Sequence, residues 1–351
     1  MNEVSKTFLE RLLSTASPSG DEIEIQKKWK EYVEGFADEI RTDNAGNVIA
    51  ILNPEKPFKV MLAGHVDEIA FMVTHIDDKG FLSVTKVGGI NPKLALAQRV
   101  KVLGANGIIK GVIGVNAQHH GGEKGEIEVE SLYIDLGANS KEEAEDHVTV
   151  GDYVVYDMDY EYLLNNKIAA RGLDNRAGAF IVAEVVKRLA QEDLNVGIYG
   201  VSTVNEETNM GGAFFAASAI EPTCGLACDV TFTSDYGNTS KKKLCDIALD
   251  KGPVLAKGAQ INKKLNGILI ETAKKNDIPV QFELTPRTTG TDADKIRFTG
   301  KGTPVALVSL PLRYMHSPSE VVSLDDMEKM IELMVLAIKN LKGNESFNPF
   351  E

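Results

Sequence analysis

Apolar positions in this chain change their spacing twice. From Ser5 to Leu13, Phe8, Leu9, Leu12 and Leu13 recur at helical intervals. The break Pro18-Ser-Gly-Asp21 is followed by a second amphipathic run with Ile23, Ile25, Trp29, Tyr32 and Val33 on its apolar face. Two short strands are predicted at Glu39–Thr42 and Asn47–Leu52, joined by the turn Asp43-Asn-Ala-Gly46. The run Lys59-Val-Met-Leu-Ala63 then reads as a buried strand ending in Gly64-His65.

Between about Glu68 and Asn166 the pattern becomes short β-branched runs separated by Gly, Asn and Asp. They are Ala70–His75, Phe81–Val87, Arg99–Leu103, Ile108–Val115, Glu126–Asp135 and Tyr153–Met158. Such spacing predicts a small all-β barrel or sandwich. One helix is expected within it, from N-cap Ser140 to Asp146.

After Lys167 helix and strand alternate. Helices are predicted at Asn175–Ala190, Gly212–Ala219 and Lys264–Lys275, and strands at Val196–Val204, Gly225–Asp229, Val280–Leu284 and Pro304–Leu310. The last helix starts at N-cap Ser323, carries Asp325, Asp326 and Glu328 in its first turn, and stops near Gly343. Alternation of this kind implies a layered α/β fold with a substantially parallel sheet. The expected organisation is therefore an α/β/α domain built from residues 1–67 and 167–351, interrupted by a β-rich insert, 68–166.

Composition narrows the function. A formal net charge of −13 and a pI near 5.1 disfavour nucleic acid and anionic membrane surfaces as partners. No apolar run reaches the roughly 20 residues a membrane helix needs, and Met1-Asn-Glu-Val-Ser-Lys6 lacks the start of a signal peptide. Three cysteines, Cys224, Cys228 and Cys245, are too few and too odd in number for a disulfide framework and fit a reducing cytoplasm.

The candidate chemistry sits where strands end. Gly64-His65-Val-Asp67-Glu68, Arg171-Gly-Leu-Asp174, Asn205-Glu206-Glu207, Cys228-Asp229 and Tyr314-Met-His316-Ser-Pro318 each fall at such a point. Ligands of open α/β sheets gather at the carboxyl ends of the strands. Adjacent carboxylates such as Glu206 and Glu207 repel, and burial raises both pKa values; a bound cation reverses both penalties. Two histidines with several carboxylates suit zinc, cobalt or manganese. One carboxylate can also bridge two ions about 3.5–4 Å apart. In His65-x-Asp67 the aspartate is placed to fix the second ring nitrogen of a ligating imidazole. Taken singly, each residue has an ordinary explanation: a loop histidine, a helix cap, first-turn charges. Their joint occurrence at five strand ends favours a metal site. The pair His119-His120 lies in a Gly-rich loop of the insert, where a cavity mouth or a subunit contact is expected, and Gly290-Thr-Asp292 reads as a loop facing the site.

These motifs, in this order, resemble the co-catalytic metallopeptidases, and among them the M42 aminopeptidases over nearly the full length. The β-rich insert between the first and second candidate ligands is the arrangement of that family. The resemblance implies that Asp174 bridges two divalent ions, Zn²⁺ with Co²⁺ or Mn²⁺ as alternatives. His65 and Asp229 would complete one site, and Glu207 and His316 the other. It further implies Glu206 as the general base on a metal-bound water, Asp67 as the residue orienting His65, and a cis peptide at Asp174-Asn175. Thr208-Asn-Met-Gly-Gly212 departs from the bulkier, often Arg-containing stretch of typical members. The implied activity is removal of N-terminal amino acids from peptides, by a homo-oligomer ranging from dimer to hollow dodecamer. The alternative is an endoglucanase-like glycoside hydrolase using paired carboxylates, which would have no use for His65, Asp229 and His316. A non-catalytic scaffold would be expected to have lost ligands, and none is lost.

Overall fold

A computed structural model describes residues 1–122, 125–237 and 239–351. An eleven-stranded sheet forms the centre of the larger part of the molecule. Four strands run parallel through its middle: Gly197–Thr203, Lys59–His65, Cys224–Phe232 and Val305–Arg313. Nearly every residue in them is buried, so they read as unbroken apolar runs rather than alternating ones. The hairpin Glu39–Thr42 and Val48–Leu52 pairs antiparallel on one side. Asp43 closes its turn, Oδ1 accepting the backbone N–H groups of Ala45, Gly46 and Asn47, each at 3.0 Å.

Helices cover both faces. Glu3–Leu13, Ile23–Val33, Leu173–Leu189, Lys263–Lys275 and Leu324–Lys339 bury their apolar stripes in one continuous core, where Phe8, Trp29, Phe180 and Met330 are fully enclosed. The small-residue helix Gly211–Ile220 and the turn of helix Ala293–Ile296 pack on the opposite face against Met61, Val201 and Leu307. Ile23, expected on the inner face of the second helix, is 55% exposed; two positions from Ile25, it points about 200° away around the helix.

The insert is a closed barrel of six antiparallel strands, in the order Ala70–Ile76, Leu82–Val87, Tyr133–Asp135, Gly107–Ile113, Arg99–Gly104 and Tyr153–Tyr156. Closure removes the sheet edges that a free insert would otherwise expose. The helix Lys141–Glu145 is capped by Ser140 as expected. The strand predicted over Glu126–Asp135 is present only at Tyr133–Asp135. Ahead of it, Val129–Ser131 makes a single 3₁₀ turn that buries Val129. The alternation of glutamates with Ile127 and Val129 imitates a strand, but no neighbouring strand pairs with it. The chain regains the large sheet at Glu161–Leu163, which pairs with Lys167–Ala170, a few residues before Lys167.

Four sheet strands carried no clear sequence signal: Glu161–Leu163, Lys167–Ala170, Val254–Gly258 and Glu320–Ser323. Each is three to five residues long and takes its conformation from the strand beside it.

Candidate metal centre

The parallel strands point their carboxyl ends at one place. His65 is the last residue of its strand, Thr203 ends the neighbouring strand three residues before Glu206, and Asp229 lies near the end of the third. The fourth ends at Arg313, and the following turn reaches His316 with left-handed backbone at Tyr314 and His316. Asp174 comes from the helix Leu173–Leu189, whose first turn is non-helical at Asp174 and Asn175. The Asp174-Asn175 peptide is cis. This helix approaches the sheet unusually closely: a Cβ on Gly64 would stand 2.7 Å from the Gly178 carbonyl carbon. Only glycine at position 64 brings Asp174 so near His65.

All six residues line one cavity of about 900 Å³. Asp174 divides its oxygens between the two histidines. Oδ1 lies 3.4 Å from His65 Nε2, and Oδ2 lies 3.2 Å from His316 Nε2. Glu207 stands on the His316 side, 3.5 Å away, and Glu206 on the His65 side, 3.7 Å away. Two groups of potential ligand atoms result, each within 4.8 Å: His65, Glu206 and Asp229, and His65, Asp174 and Glu207. Glu206 thus stands among the donors as closely as Glu207 does.

The surrounding hydrogen bonds hold these side chains in place. His65 Nδ1 lies 3.1 Å from the Asp67 carbonyl and 3.3 Å from its carboxylate. That carboxylate also accepts the backbone N–H groups of Glu206 and Glu207, at 3.0 and 3.1 Å, and the Ser19 hydroxyl. One aspartate therefore fixes both an imidazole and the acidic pair. His316 Nδ1 lies 2.9 Å from the carbonyl of Gly89, which the barrel contributes. A Cβ at Gly89 would stand 2.9 Å from the same nitrogen. Glu320 is fully buried and spans two chain segments, accepting the N–H of Asp174 at 3.0 Å and of His316 at 2.8 Å. Glu68 is enclosed with Arg171 and Arg176, tying the first and second motifs together. Asp292 lies buried beneath the loop Gly290–Thr291 and accepts the Thr203 hydroxyl.

Charge makes this arrangement costly without cations. Burial pushes Glu206 up to about 10, with Asp229, Asp292 and Asp174 adding to the effect and His65 opposing it. Burial and the nearby Asp174 hold Glu207 and Asp229 well above the ordinary carboxylate range. Asp174 goes the other way: burial would raise it, but the His316 and His65 imidazoles hold it below that range. Among the described residues Glu206 Oε1 is buried with no hydrogen-bond partner. Two imidazoles, four carboxylates and an orphaned buried oxygen fit divalent cations, which supply the missing positive charge and the missing partner.

All the residues expected at the site are brought together here. Glu320, Gly89 and Ser19 were missed: Glu320 follows His316 by four residues and Ser19 lies in the break Pro18-Ser-Gly-Asp21, but their partners are backbone groups or side chains of distant segments, which local sequence does not reveal. His119 and His120 are exposed and do not line the cavity. Cys224 and Cys228 are buried in the core, and their thiols are pushed up chiefly by burial. Among the described residues no helix is long and apolar enough to cross a membrane.

Comparison with known proteins shows the family. The model for the M42 glutamyl aminopeptidases matches residues 46–333. A lysyl aminopeptidase of Pyrococcus furiosus is 35% identical, over 95% of this chain and 97% of its own. A TET aminopeptidase from the marine sediment archaeon Thaumarchaeota archaeon SCGC AB-539-E09 superimposes with a TM-score of 0.92 at 31% identity, covering 97% of both chains. The Pyrococcus horikoshii TET1 peptidase, which can assemble into a tetrahedron or a large octahedral shell, gives 0.85 at 29% identity, over 96% of this chain and 100% of its own.

Proposed function

Since this chain belongs to the M42 family of aminopeptidases and is a peptide hydrolase, we propose that it removes N-terminal amino acids from peptides with the aid of two divalent cations. His65, Asp229 and one oxygen of Asp174 would hold one cation; His316, Glu207 and the other oxygen of Asp174 would hold its neighbour. The observation that carries this reading is the division of the Asp174 oxygens between the two imidazoles. Zn²⁺ suits the donor set best, with Co²⁺ or Mn²⁺ as alternatives. When bound, such a pair polarises the scissile carbonyl and makes water more acidic.

Glu206 takes a proton from the attacking water and passes it to the leaving amine. Its free oxygen Oε1 and its enclosure at the cavity wall support that role. Asp67 keeps the base in place by holding the N–H groups of Glu206 and Glu207, and keeps the His65 ring from turning. The barrel supports the His316 side through Gly89. We further assign the chain to a homo-oligomer, from dimer to dodecamer, acting on small peptides; the shells formed by the Pyrococcus horikoshii relative support this reading.

One assay tests the core of the proposal. Release of chromophore from amino-acid 4-nitroanilides should be abolished by chelation and restored by Zn²⁺, Co²⁺ or Mn²⁺. Sugar release from a cellulose-type substrate that survives chelation, with no peptide cleavage, overturns it. Light scattering on a sizing column reads the assembly, and a strict monomer removes that part.

A further inference from the structure

The cavity continues past the carboxylate cluster, and its far wall contains a charge that the proposed reaction does not use. Glu283 lies on the short strand Gln281–Thr285, where its ladder partner is Ala256. Ala256 is small enough to let the Glu283 side chain cross towards the middle of the sheet. There its carboxylate accepts the Thr231 hydroxyl at 2.6 Å and the Ser309 hydroxyl at 2.7 Å. Ser309 is the register partner of Asp229, and Thr231 follows Asp229 by two positions on the same strand. Residues two apart on a strand share a face, so Glu283 stands beside the candidate metal centre and on its side of the sheet. Glu283 lines the same cavity.

Three further features bear on what that part of the cavity holds. Phe298, just past the short helix Ala293–Ile296 on this face of the sheet, lines it and is 69% exposed. Asp294, the other acidic residue of this wall, is already engaged by the N–H groups of Thr289 and Gly290 and by the Thr289 hydroxyl. Glu283, by contrast, has two neutral hydroxyls and, among the described residues, no paired cation. Burial raises Glu283 above the ordinary carboxylate range, with the two hydroxyls pulling it back; a cation against it favours the ionised form.

We propose that Glu283 determines specificity in this cavity by selecting peptides whose N-terminal residue has a basic side chain, lysine or arginine. The alkyl stem lies along Phe298, and the ammonium or guanidinium meets the Glu283 carboxylate. This assignment rests on the aminopeptidase reading above.

The test uses the full-length, metal-loaded enzyme with the 4-nitroanilides of Lys, Arg, Leu and Glu. Lys and Arg substrates should give the highest kcat/KM and the Glu substrate the lowest. Glu283→Gln should lower the Lys-to-Leu ratio of kcat/KM by about tenfold to a hundredfold, as expected for loss of a hydrogen bond to a charged group, with the Leu rate nearly unchanged. That retained Leu rate also reports a folded enzyme; should the variant fail to fold, Glu283→Ser keeps a partner for the two hydroxyls. A wild-type preference for Leu or Glu overturns the proposal whatever the variants do. So does a variant that slows every substrate equally, which would put Glu283 on the α-ammonium or in the scaffold. If no 4-nitroanilide is cleaved by the metal-loaded enzyme, the aminopeptidase reading itself falls, and this assignment with it.

Discussion

Inside the barrel, Phe71, Val84, Val102 and Ile134 pack into an apolar cluster, and nearby charges such as Lys101, Lys110 and Asp157 are paired within 3.2 Å. At the carboxyl edge of the large sheet, Asp174, Glu206 and Asp229 are also buried, yet they face other ionisable groups. The first interior is stabilised by removing apolar surface from water. The second holds like charges in a poorly solvated place, an arrangement that destabilises the fold unless cations or protons enter. The contrast separates the parts of the molecule that maintain the fold from the part arranged for chemistry. The barrel crosses that line where Gly89 lends its carbonyl to His316.

If the division is right, the two regions should fail differently when altered. The largest effect is expected at Glu206. Glu206→Gln should lower kcat by about 10²- to 10⁴-fold, the range for loss of a general base, with two metal ions still bound by elemental analysis. Loss of metal instead makes Glu206 a ligand, in keeping with its place beside His65 and Asp229.

Phe71→Ala should do the reverse. Phe71 is fully buried and meets Tyr156 edge-on at 5.8 Å. Its removal should cost about 3–5 kcal/mol of stability, read by denaturant unfolding, while metal content and kcat of the folded enzyme stay close to wild type. An equal loss of both would show that the barrel is coupled to the site more widely than through Gly89.

Glu320→Gln falls between these. The amide can accept only one of the two N–H groups that the carboxylate now accepts, so either Asp174 or His316 is left loose. Metal affinity should weaken by about 10- to 100-fold, as for other residues that support ligands, and the metal-free protein should lose about 1–3 kcal/mol of stability from the unpaired buried N–H. Competition with a fluorescent chelator measures it.

The smallest effect is a pH dependence. Glu206 has a folded-state pKa of about 10, above the ordinary value of 4.5. Its contribution to stability is therefore fully present below the ordinary value and is lost as pH rises through the folded one. Asp174 is held low and stays ionised in that window. The metal-free protein should lose melting temperature as pH rises from about 4.5 to about 10, and metal binding there should release protons and tighten with pH. A thermal shift on metal addition that does not grow with pH would show that the carboxylates are already ionised.

Much of this was legible beforehand because periodicity reports burial directly. The run Lys59–Ala63 had to be an inner strand, and the face Met327, Met330, Ile331 and Met334 had to be an inner helix face. The candidate ligands were legible because charged residues at the end of an apolar run lack a structural reason. The strand Val254–Gly258 was not, because five residues carry too little pattern and its neighbours decide its conformation. The turn at Val129–Ser131 misled because side-chain alternation is necessary for a half-buried strand but does not supply a hydrogen-bonding partner.

The sequence by itself determined the layers, the interruption by a β-rich insert, and the six side chains proposed for the candidate site, since each depends on residue type and local spacing. Only the tertiary structure decided which oxygen of Asp174 faces which histidine, that Asp67 also holds the acidic pair, and that Glu320 and the Gly89 carbonyl brace the ligands. These contacts join segments far apart in the chain, and their geometry is set by strand register and by close approaches such as Gly64 to Gly178. The same holds for Glu283: its type and position are plain in the sequence, but its place beside Asp229 exists only once four strands are laid side by side.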